Sequence, residues 1–142
     1  MSPPADILRQ LLIQLGLGSE SVWPIFTGFF PGVPDEAMCC YDTAGKPDGR
    51  IMASGEQIIH PGVQVLLRGP DYLATREKAE AVAQALDGQR RTPVAIPGGE
   101  TYLLHNVSRS GDILPLGMEE DGDRRRHLFA INSTMTVQLN NE

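Results

Sequence analysis

The residues of this chain that could act on a ligand are few and scattered. His60, His105 and His127 have no short ligand spacing between them or to the cysteines, so a zinc site has no support. Cys39 and Cys40 are adjacent. On a strand, neighbours point to opposite faces, so these two cannot easily pair with each other or share one metal. Cysteine is also a small hydrophobe that is often buried, and core packing is the expectation for both. Asp121-Gly122-Asp123 faintly echoes a calcium loop, but Arg124, Arg125 and Arg126 fill the following positions. That pattern fits a hairpin turn whose mixed charges neutralise one another. Ser108 and Ser133 lack a nucleophile elbow around them. The triplets Asn106-Val107-Ser108 and Asn132-Ser133-Thr134 match glycosylation acceptors, which carry weight only in a secreted chain. No catalytic residue, metal or cofactor is expected.

One segment needs closer inspection, "HPGVQVLLRGPDYLATREKAEAVAQALDG", from His60 to Gly88. Strand, glycine and helix follow one another here, as they do in phosphate-binding loops. A P-loop needs several glycines with converging N–H groups and a lysine followed by serine or threonine. Here a single glycine, Gly69, precedes Pro70, which has no N–H to offer. "GLGSES", from Gly16, follows a helix and lacks the third glycine. Both segments are structural punctuation.

The whole chain sets the frame for these residues. Its 142 residues suit a single domain over 1–142, one that buries roughly 70% of its unfolded surface. A hydrophobic fraction of 41% and a charged fraction of 21% are ordinary for a globular protein. Lys+Arg 12 against Asp+Glu 18 leaves a net charge of -6, which argues against a dedicated nucleic-acid binder. No apolar run approaches the ~20 residues that span a bilayer. "MSPPADILRQLL" has no basic leader before an apolar stretch, so a secretory signal is not expected and the chain should stay in the cytoplasm.

Periodicity supplies the elements. Ser2 and Pro3 suit a helix start, as N-cap and first helical residue. Ile7, Leu8, Leu11, Leu12 and Leu15 recur at helical spacing until Gly16 and Gly18. "VWPIFTGFFPGVP", Val22 to Pro34, reads as an extended edge segment. Ala37 to Asp42 is a short strand, and Thr43 to Gly62 a long loop: a mobile arm, a hairpin or a binding surface. Val63 to Arg68 forms a strand, and Asp71 can cap the helix that follows. Tyr72, Thr75, Ala79, Val82, Ala83 and Leu86 share one face of that helix, which closes at Asp87-Gly88. Thr101 to Ser108 and Asp112 to Met118 read as strands joined by a turn. Glu119 to Arg126 is a charged turn. From Leu128 to Leu139, Phe129, Ile131, Met135, Val137 and Leu139 take one face, with Ser133 interrupting the row. The order α-β-β-α-β-β-β predicts an α+β fold, a mixed, mainly antiparallel sheet with two helices packed on it.

The His60–Gly88 segment resembles the central strand-helix unit of bacteriophage minor capsid and tail terminator proteins. That family places an alanine-rich helix with a "Y…A…A…L-G" pattern after a "PG-V-Q-hydrophobic-R-G" strand. The likeness extends to the N-terminal helix, the aromatic-proline segment, the strand ending "YDTAG" and the closing "LPLGMEEDGDRRRHLFAINSTMTVQL". It covers nearly the whole chain and rests on order and spacing. The resemblance implies a tail terminator of a long, non-contractile tail: a homo-oligomeric, hexameric ring at the head-proximal end of the tube. Its implied partners are the tail tube protein and a head-tail connector or stopper protein, and its place is the virion after assembly in the host cytoplasm. DNA would pass through the lumen without specific binding, and no membrane is involved. A head-completion or stopper protein is the nearest alternative. A small-molecule-binding or enzymatic α+β domain is the alternative of another class.

Candidate subunit or tube contacts follow from surface charge. Lys46 and Arg50 lie in the long loop, and Arg68, which ends the central strand, is by the resemblance a structural or subunit-contact residue. Glu119, Glu120, Asp121 and Asp123 stand beside Arg124, Arg125 and Arg126, complementary patches suited to head-to-tail contact around a closed ring.

Overall fold

The computed structural model describes residues 2–46 and 58–140. Two helices and seven strands occur in the order α1 (Pro4–Gln14), β1 (Ile25–Thr27), β2 (Ala37–Lys46), β3 (Ile58–Gly69), α2 (Tyr72–Asp87), β4 (Arg90–Ala95), β5 (Thr101–Arg109), β6 (Leu114–Asp121) and β7 (Arg124–Asn140). The strands form one sheet ordered β1-β2-β3-β7-β5-β4, with β6 also paired to β7. Among the described residues only β1–β2 is parallel, and the other pairings are antiparallel. The fold is α+β.

This order corrects the sequence expectation at two strands. β1 condenses within the aromatic-proline segment, and β4 comes from "RRTPVA", which has no apolar alternation and contains Pro93. Both are edge strands, where a missing ladder bond is tolerated. Of the long loop expected over Thr43–Gly62, residues 47–57 lie outside the described residues, and both described ends are strand. β2 runs on to Lys46 and β3 begins at Ile58, with Lys46 opposite His60 across a register shift. The charged turn also shrinks: Glu119–Asp121 belong to β6 and Arg124–Arg126 to β7, so only Gly122 and Asp123 turn the chain. Gly122 has φ 64°, a conformation that favours glycine.

β7 organises the sheet. It is 17 residues long, pairs with β3 along one side, and with β6 and then β5 along the other. Its alternation sends Phe129, Ile131, Met135 and Val137 into the core, with Leu139 partly buried beside them. Ser133 is buried in that row, and its hydroxyl has no partner among the described residues. From α1, Ile7, Leu8, Leu11 and Leu12 join the same core, and from α2, Ala79, Val82, Ala83 and Leu86. Tyr72, predicted on that buried face, is half exposed at the first turn of α2.

Both helix starts differ from the sequence reading. α1 begins at Pro4 with Pro3 as N-cap, and the Ser2 N–H instead donates to the Tyr102 hydroxyl at 2.7 Å. The free N–H of Ala5 is taken by the Asp42 carboxylate at 2.8 Å, a cap supplied from β2. At α2, Asp71 makes no side-chain cap; its carbonyl accepts from the Thr75 hydroxyl at 2.7 Å. Thr75 packs so tightly on Gly69 that an added Cβ there would collide with the Thr75 hydroxyl. The Gly69-Pro70 break therefore lets α2 start against the end of β3. It is architecture.

Candidate functional site

The charged candidates separate into buried and exposed groups. Arg68 is 3% exposed. Gln64, Leu66 and Arg68 alternate with the core residues Val63, Val65 and Leu67, so Arg68 points to the other face of β3. There the segment before β2 covers it. Its guanidinium donates to the carbonyls of Pro34 at 2.6 Å and Asp35 at 3.3 Å, and lies 4.0 Å from the centre of the Phe30 ring. Burial first, then the neighbouring Arg126, push its pKa below the ordinary arginine value.

Arg126 is buried to the same degree. It bonds Glu119 across the β6–β7 hairpin, donates to the Gly32 carbonyl at 2.6 Å, and lies 3.7 Å from Asp35. Arg124 reaches the same Gly32 carbonyl at 3.2 Å and Asp35 at 3.3 Å. Three arginines from β3 and β7 thus clamp the Gly32–Asp35 segment to the sheet. Asp35 and the Gly32 carbonyl had no signal in sequence, because they lie about ninety residues from their Arg126 partner.

Arg125 points the other way. It is 73% exposed, with Glu120, 62% exposed, 3.7 Å from it across the hairpin. Asp123 is exposed at the turn, and Asp121 stands opposite Arg124 in the ladder. Lys46 sits at the end of β2, remote in the sheet from this hairpin, and Arg50 lies outside the described residues. Of the ten candidates, Glu120, Asp123 and Arg125 are displayed on the surface beside one another, while Arg68 and Arg126 serve the chain's own fold.

The other polar groups do not converge. Among the described residues no three His, Cys, Asp or Glu side chains gather as metal ligands. His105 bonds Gln138 at 2.8 Å, and His127 stands edge-on to Tyr72. Cys39 and Cys40 are both fully buried, with Cys40 in the core. Burial raises both thiol pKa values and pushes the Tyr41 phenol up to about 12, so none of them ionises near neutral pH. A cavity of about 700 Å³ lies beside β1, lined mainly by Arg9, Ile13, Glu20, Pro24, Phe26 and Pro34. No helix among the described residues is long and apolar enough to cross a membrane.

Arg68 and Arg126 are thus committed to the fold, while the hairpin that carries Glu120 and Arg125 is exposed at a sheet edge. Residues 11–138 match the family described as bacteriophage tail terminator protein, and the chain belongs to that family. It is a structural protein of a phage tail. No curated protein matches the sequence. A solved structure with 18% identity aligns over 99% of this chain and 100% of its own, with a TM-score of 0.51, and supports the fold alone.

Proposed function

We propose that this protein terminates the tube of a long, non-contractile phage tail. Subunits form a closed, hexameric ring on the head-proximal end, stop tube polymerisation, and present the surface to which the head connector or stopper binds. Family membership over residues 11–138 carries this reading. The charged hairpin tip supports it, since a closed ring needs two different complementary patches on each subunit. The work is assembly, with no catalytic step, in the virion after assembly in the host cytoplasm.

Deleting the gene in the phage tests it. Tails of uncontrolled length without heads are the expected result. Normal-length tails that fail to join heads would identify a head-completion protein instead.

A second expectation follows from charge. Each subunit carries -6, so a ring is strongly acidic and its lumen gives a passing polyanion nothing to hold. Fluorescence anisotropy with duplex DNA should show no measurable affinity at physiological salt. Micromolar binding that weakens as salt rises would count against this function.

A further inference from the structure

The adjacent cysteines lie under two different covers. Cys40 faces the core shared with both helices, where it feels the charges of Asp6 and Arg9 on α1. Cys39 points to the other face of β2, with Leu66 beside it on β3. There the backbone N–H groups of Gly28 and Phe29 lie toward its sulfur, and it feels the charge of Arg68. Both thiols are fully buried, but Cys39 owes this to the segment between β1 and β2.

That segment, Gly28 to Glu36, is held differently from the rest of the chain. None of its residues belongs to the core, and Phe29 (72%) and Val33 (63%) are exposed. The Gly28 N–H still donates to the Cys40 carbonyl at 3.0 Å. From Phe29 to Glu36 no backbone-to-backbone hydrogen bond is made among the described residues. What holds this stretch is the arginine clamp: Arg68 on the Pro34 and Asp35 carbonyls, Arg124 and Arg126 on the Gly32 carbonyl and the Asp35 carboxylate. The Phe30 ring adds its face to Arg68. A segment with so few buried apolar contacts separates at less cost than the global fold. Its departure strands no charge in the interior, since Arg126 keeps Glu119 and the vacated guanidinium groups meet water.

We propose that Gly28–Glu36 is a latched strap, which opens as a unit while the sheet and both helices stay folded. Gly28, at φ 73°, is the hinge, and the arginine clamp sets how often the strap lifts. Opening bares Arg68 and Cys39. Phe26, Cys39, Leu66, Ala130 and Leu114 are in register across β1, β2, β3, β7 and β6, and Leu114 is already exposed. The clamp therefore controls how much of this apolar row the subunit shows. The inference is independent of the ring reading.

The two thiols make the test, each reporting its own cover. The full chain is treated with N-ethylmaleimide under native conditions, and tandem mass spectrometry distinguishes label on Cys39 from label on Cys40. In the wild type Cys39 should react about tenfold faster than Cys40 or more, because Cys40 waits for global unfolding. Asp35→Asn and Arg124→Gln, both at partly exposed positions, should each speed Cys39 by a further factor of about ten and leave Cys40 unchanged. Arg125→Gln, which lies outside the clamp, should alter neither rate. Equal rates at the two thiols in the wild type would overturn the strap, and this comparison needs no variant to fold. A fast Cys39 that ignores both Asp35→Asn and Arg124→Gln would overturn it as well, since the clamp would then not be the latch.

Discussion

Replacing Arg126 with glutamate should destabilise the fold by about 3–5 kcal/mol, the loss expected when a buried pair is broken and a charge is left unmatched. The new carboxylate would face Glu119, Asp35 and the Gly32 carbonyl, all acceptors, within a site where Arg126 is 3% exposed. A domain's whole stability is about 5–15 kcal/mol, so the variant should be marginal or unfolded. Arg125→Glu, on the opposite face of the same strand and 73% exposed, should move stability by less than about 0.5 kcal/mol. Urea denaturation of the two variants beside the wild type makes the comparison. Equal midpoints for all three would show that the arginine clamp does not hold the Gly32–Asp35 segment.

Val82→Asp should abolish the cooperative unfolding transition. Val82 has 0% exposure in α2, within the same core as Phe129, Ile131 and Leu104. A carboxylate buried in that apolar cluster costs several kcal/mol, which approaches the entire stability. Leu86→Ala, which only removes volume, should cost about 2–5 kcal/mol and leave a folded protein. Circular dichroism melting separates the two cases. A soluble Val82→Asp protein with a wild-type midpoint would mean that α2 does not cover this core.

How much of this was legible beforehand depended on whether the signal was local. The alternation through Phe129, Ile131, Met135 and Val137 marks a half-buried strand whatever surrounds it, because strand geometry alone sends alternate side chains to one face. The buried faces of α1 and α2 were legible for the same reason, with the 3.6-residue period in place of two. Gly69-Pro70 could be recognised as a break, and its lack of donors excluded a phosphate cradle. The order and spacing of the elements also pointed to the tail terminator family, to which the chain belongs.

Other features had no local signal. β4 exists because Thr92 and Val94 find Leu104 and Tyr102 on β5; its own arginines and Pro93 argue for a loop. The extensions of β2 and β3 form through glycine and proline because each arm offers the other a ladder. Charge patterning placed Arg124, Arg125 and Arg126 together on a turn. Strand pairing then sent Arg124 and Arg126 toward Asp35 and Gly32, and left Arg125 on the surface. Local periodicity, glycine and proline determined where most elements begin and which faces are apolar. Tertiary structure decided which charges are buried and which stay on the surface, because burial of a side chain depends on segments distant in sequence that pack against it.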